Sequence, residues 1–196
     1  MRAPEYNLKL VRAMLEEFED YLLSDELFWP LDPSALQGQP PLPRLTPGGL
    51  FLAFDELNAQ STAMTPVERA EHQKLERQMQ RVFQKWPEAA GRKAAREMHS
   101  RFSLWKAYVN DLLEREDHPD NYAYEVRQRV IFERIIQLAA RQPDSQATIE
   151  AIHPIDASLQ TYFKTGEFIW DPCLRRLYPE DRYWFLYGVP LLDETT

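Results

Sequence analysis

Residues 65–116 read TPVERAEHQKLERQMQRVFQKWPEAAGRKAAREMHSRFSLWKAYVNDLLERE, and their spacing decides the fold class. Thr65 stands where a helix cap stands, Pro66 suits the first helical position, and Glu68 follows the threonine by three, so both halves of a capping box are present. His72, Leu75, Met79, Val82 and Trp86 recur at steps of three and four, which predicts one buried stripe on a helix reaching about Trp86. Pro87 interrupts it. A longer helix over 88–116 then carries Ala95, Met98, Phe102, Trp105, Val109 and Leu112 as a heptad-like seam. Alternating three-four steps favour shallow crossing angles, the geometry of a helical bundle.

The same grammar extends outward. Leu8, Val11, Leu15, Phe18 and Leu22 predict a first helix over 6–28. Thr46-Pro47-Gly48-Gly49 opens a short helix to about Asn58, with Leu50, Phe51, Phe54 and Leu57 buried. The paired glycines lack the Gly-Lys-Ser/Thr and the preceding strand of a phosphate loop. Residues 121–141 predict a fourth long helix with Tyr124, Ile131, Ile135 and Leu138 inward, and Val126, Val130 and Phe132 widening the stripe. Shorter helices are expected from Pro143 and from Pro154 to about Lys164, and a last turn or two from Tyr178. No run reads as a convincing strand. The expected fold is all-α: a single-domain helical bundle over 1–196, with four longer helices and several short ones. It carries a proline-rich loop over 30–47 and an aromatic C-terminal segment over 162–192 that closes the core as a lid.

Composition narrows the chemistry. The 196 residues include 31 acids against 23 bases, a net charge of −8, which argues against nucleic acid as the default partner. One cysteine, Cys173, excludes an internal disulfide and a multi-cysteine zinc site. No apolar stretch approaches the length of a membrane helix, and the first residues do not read as a secretory leader, so a soluble cytoplasmic protein is expected. No pair among His72, His99, His118 and His153 has metal spacing, and the ladder Glu68-His72-Glu76 reads as a surface pair around a boundary histidine. Cys173 beside Arg175 and Arg176 has no histidine nearby in sequence, and there is no Gly-x-Ser-x-Gly elbow. No catalytic residue, metal or cofactor is assigned.

Two features rise above this background. Residues 69–106 carry ten bases and four acids, a local charge of +6 against −14 for the rest. Lys74, Arg77, Arg81 and Lys85 form one basic stripe, continued by Arg92, Lys93 and Arg96, and it either faces the acids of the first helix (Glu16, Glu17, Glu19, Asp20) or meets an acidic partner. Between Tyr162 and Tyr187 nine of 26 residues are aromatic, about threefold above the chain average. Trp184 and Tyr187 belong to a run whose rings cannot all face one side. The expected function is a non-catalytic protein-interaction or scaffold module, binding a protein partner or itself through Lys74, Arg77, Arg81, Lys85, Trp184 and Tyr187. One alternative is a small-molecule-binding protein or enzyme with its site between the bundle and the aromatic segment, where a deep pocket holding Asp171, Glu167 or a histidine would favour catalysis. The second is a nucleic-acid accessory protein using the basic stripe.

Overall fold

The computed structural model describes residues 3–32, 42–114 and 119–191. Residues 33–41 of the proline-rich loop, the end of the helix expected to reach 116, and His118 lie outside them. Among the described residues the chain is all-α apart from one small hairpin. Its helices are α1 (Pro4–Glu16), α2 (Phe18–Leu23), α3 (Pro47–Ala59), α4 (Pro66–Lys85), α5 (Pro87–Leu113), α6 (Tyr122–Ala139) and α7 (Ser145–Gln160). Among the described residues no helix is long and apolar enough to cross a membrane.

The helix starts follow their local chemistry. Thr65 and Glu68 close the capping box in both directions, at 3.3 and 2.7 Å. Thr46 accepts from the Gly49 amide at 2.9 Å at the head of α3. The neighbouring Gly48 amide donates to Glu97 Oε2 at 2.8 Å, and Glu97 is wholly buried. The chain thus puts its own carboxylate where a phosphate loop would hold its anion.

Two apolar cores result. One gathers α1, α2, α4 and the inner face of α3, with Leu15, Phe18, Phe54, Leu57 and Leu75. The other gathers α5, α6, α7 and the C-terminal segment, with Trp105, Val109, Val130, Ile135 and Phe185. Helix α3 belongs to both, which is why it is buried nearly all round. The α5 seam is spent inside the chain: Met98, Trp105, Val109 and Leu112 are buried in the core shared with α6 and α7. It therefore gives no support to self-association.

Four expectations change. The first helix breaks at Glu17 and ends at Leu23. Glu17 accepts from the Trp29 indole at 2.6 Å and from the Asp32 amide at 3.0 Å, and Trp29 pairs with Leu45, so the chain turns back where a helix would have continued. The two helices expected around Pro154 are one, α7, with that proline inside. Its missing N–H frees the carbonyl of Glu150, an exposed residue. Tyr124, expected inward, is 71% exposed.

The fourth change is the hairpin. Strand β1 (Phe163–Phe168) pairs antiparallel with β2 (Tyr187–Pro190), Phe163 opposite Pro190 and Thr165 opposite Gly188, with a bulge before Phe168 meets Tyr187. Gly188 has φ +144°, and a Cβ there would come 2.1 Å from the Lys164 carbonyl oxygen, so only glycine fits. Between the strands, Pro172–Leu177 and Trp184–Leu186 are short 3-10 turns.

Candidate functional site

The C-terminal segment closes over α5 and α6 through polar anchors as well as rings. Tyr122 Oη donates to the Phe185 carbonyl at 2.6 Å, and Tyr187 Oη to the Tyr178 carbonyl at 2.8 Å. Tyr178 Oη donates to Asp55 Oδ2 at 2.8 Å, while Arg134 holds the other oxygen of Asp55 at 2.9 Å. Burial pushes the Asp55 carboxyl up from the ordinary aspartate range, and the Arg134 charge opposes it. This triad pins the segment to α3 and α6.

Beside it the packing opens. A cavity of about 690 Å³ lies between α1, α3, α6 and the C-terminal segment. Leu10 and Met14 of α1, Leu52 and Ala53 of α3, and Leu174 make apolar walls. Trp170 and Tyr178 close one side, with their rings edge to face at 5.6 Å, and Tyr124 also borders the space. The Trp170 indole N–H donates to the Ala123 carbonyl at 2.8 Å, so the ring is fixed against α6. The charged lining is Glu56, Arg127 and Asp171.

The opening follows from helix geometry. Tyr124, Arg127 and Ile131 share one stripe of α6 at steps of three and four. At Ile131 the stripe meets α3 so closely that a Cβ on Gly48 would lie 2.3 Å from Ile131 Cγ2. One and two turns earlier, at Arg127 and Tyr124, the same stripe borders the cavity.

Arg127 has no hydrogen bond or ion pair among the described residues. Its helical neighbours differ. Arg129 meets Asp156 at 3.0 Å and Glu133 at 2.9 Å, and Arg134 meets Asp55. Burial holds the Arg127 guanidinium below the ordinary arginine range, the nearby Arg101 charge acts in the same direction, and Glu56 opposes both. Asp171 is held low by the Cys173 amide, which donates to its Oδ1 at 3.0 Å, so it sits in the cavity as a carboxylate.

The residues expected to bind a partner are scattered. Lys74, Arg77 and Arg81 are exposed on α4. Lys85 pairs with Glu19 at 2.7 Å, and with Arg81 it lines a groove against Glu16 and Glu19 of the first helical segment. The stripe does not continue through Lys93, which is buried under Tyr21 and donates to Ser24 and to the Glu26 carbonyl. Trp184 is half-buried, edge-on to Phe163 at 5.2 Å. Tyr187 is buried and presents no ring at the surface.

Other candidates have structural uses. Glu68 is engaged in its cap, and His72 packs 6.3 Å from Phe54 inside the first core. Among the described residues no group of three His, Cys, Asp or Glu side chains could hold a metal ion. Arg175 lies over Tyr187, and Arg176 reaches the carbonyl of Asn58 at the end of α3, beside an exposed Cys173.

Sequence reasoning missed Arg127. Its signal was present: a cation between Tyr124 and Ile131 on an otherwise apolar stripe.

No family model, curated protein or solved structure matches this chain.

Proposed function

We propose that this protein binds a small molecule between its helical bundle and its aromatic C-terminal segment. The observation that carries the reading is the cavity of about 690 Å³, within the range of about 300–1,000 Å³ usual for ligand pockets. Its apolar walls, fixed indole and few charged groups match the make-up of such pockets. Binding is favoured over turnover because the described lining holds no Ser, Cys, Lys or His, and Asp171 is kept ionised rather than poised as an acid.

The test uses 2-naphthalenemethanol, an uncharged aromatic probe, followed by titration calorimetry. One site per chain is expected. Ala123→Trp places a large ring at an exposed position of the cavity wall and should abolish binding without unfolding α6. Binding that survives Ala123→Trp, or no binding to the parent protein, would sink the reading.

A protein-interaction module is the second reading, favoured by the exposed cations Lys74, Arg77 and Arg81 on α4. It requires an acidic partner or a second copy. Light scattering across a wide concentration range tests the second copy: concentration-dependent assembly, lost on reversing those three charges, is what self-association by this face predicts.

A further inference from the structure

We infer that the cavity selects a planar, singly charged anion, an aromatic carboxylate, whose carboxylate lies on Arg127 and whose ring lies against Trp170. This rests on the ligand-binding reading above and names the ligand class.

Three observations converge. First, Arg127 faces the cavity with five N–H donors and no hydrogen-bonded partner among the described residues. Arg129, two residues on, and Arg134, one further turn on, are each met by carboxylates. Glu56 acts on Arg127 through space, but the guanidinium's donors are not taken up by a hydrogen bond among the described residues, and its planar fork matches a carboxylate at two points. Second, the Trp170 ring is held before any ligand arrives, by its bond to the Ala123 carbonyl and its edge contact with Tyr178. A fixed aromatic face lowers the ordering cost of binding a flat ring. Ala123 lies one helical turn before Arg127, so the indole anchor and the cation stand on one face of α6. Third, Glu56 and Asp171 share the lining with Arg127. The guanidinium fork takes one carboxylate, whereas a di- or triphosphate would bring several further charges beside the two carboxylates already in the lining.

The experiment compares 2-naphthoate, 2-naphthalenemethanol, 2-naphthylmethylamine and ADP on the full-length protein by calorimetry at constant salt. Naphthoate should bind at least about tenfold more tightly than the alcohol, the ratio a charge-assisted bidentate contact provides, and the amine should bind more weakly than either. Arg127→Gln should remove the naphthoate advantage over the alcohol, with Arg127→Lys recovering part of it. The selectivity of the parent protein needs no variant, so misfolding of Arg127→Gln would not shield the inference. Equal binding of naphthoate and alcohol, an advantage that persists in Arg127→Gln, or tighter binding of ADP would overturn the ligand class while the pocket stands. If neither naphthoate nor alcohol binds, or neither is blocked by Ala123→Trp, the pocket reading itself falls.

Discussion

Arg129 joins two carboxylates and a ring in the second core. It meets Asp156 and Glu133, lies 4.7 Å over the Phe185 ring, and through Glu133 is linked to Arg182 at 2.8 Å. Asp156 also accepts from the Trp105 indole at 3.1 Å. Burial pushes the Asp156 carboxyl up and the Arg129 charge opposes it, so the aspartate depends on its partner to stay ionised. Arg129→Met should cost about 3–5 kcal/mol in denaturant melts near neutral pH, because it strands a buried carboxylate. Adding Asp156→Leu should recover part of that loss. A single-variant cost below about 1 kcal/mol, the worth of a surface pair, would show that the network is solvated. His72 gives a pH signature. Its Nε2 has no hydrogen-bond partner among the described residues, and burial lowers its pKa from the usual 6.5, with Glu76 opposing. The unfolded chain therefore binds the proton first as pH falls. Stability that is complete above about 6.5 should decline below it, through the window down to the folded value. His72→Leu should flatten this part of the profile between pH 8 and 5; an unchanged slope would place the titrating group elsewhere.

Glycine separates two kinds of helix contact at the scale of elements. Gly48 lets α3 approach α6, where a Cβ would meet Ile131 at 2.3 Å and Glu97 at 3.0 Å. Gly91 in α5 would direct a Cβ at the far end of Gln142, a side chain free to move aside, at 2.8 Å. Helix propensity alone would have both alanine variants gain up to about 1 kcal/mol. The packing predicts opposite signs: Gly48→Ala destabilises by about 1–3 kcal/mol, and Gly91→Ala is neutral or stabilising. Urea midpoints measure both, and a stabilised Gly48→Ala would mean that α3 and α6 can part without cost. Much of this level was legible beforehand. Caps and prolines act within four residues, so the starts of α3, α4 and α5 could be read from Thr46, Thr65 and Pro87. The hairpin could not. Phe163–Phe168 has no apolar alternation, and its pairing with Tyr187–Pro190 depends on Gly188, some twenty residues away in the chain. The break at Glu17 was hidden for the same reason, since Trp29 and Asp32 cause it.

Charge is organised at the scale of the whole molecule. The segment 69–106 carries +6 and the remainder −14. Part of that contrast is consumed internally, by Lys85 of the segment on Glu19 outside it. What remains outward on α4 includes Arg69, Lys74, Arg77 and Arg81, exposed cations on an anionic protein. Binding to single- or double-stranded nucleic acid should therefore be weak and vanish near physiological salt. Retention at that salt, abolished by reversing Arg77, Arg81 and Lys85, would refute this and revive the nucleic-acid alternative. The candidate site was only half legible at this scale. The aromatic excess between Tyr162 and Tyr187 marked one wall, and Asp171 was noted as a group whose placement in a pocket would matter. The other walls come from α1, α3 and α6, and a cavity is a property of how far apart helices stand, which periodicity does not encode.

The slender attachment of α4 has a kinetic consequence. Of its twenty residues only His72, Leu75 and Val82 are buried, and two exposed ion pairs, Arg12–Glu71 and Lys85–Glu19, tie its flank. A helix held by so little should open before the domain unfolds. Amide hydrogens along α4 should then exchange with deuterium well ahead of those in α5 and α6, and added salt should hasten α4 alone by weakening its ion pairs. Uniform protection across the three helices would contradict this. Each opening would bare Phe18, Phe51 and Phe54, the rings that Phe83 and His72 face across the interface. Proteolytic nicking and aggregation in this protein should accordingly begin at α4, from a state that keeps the second core and its cavity wall intact.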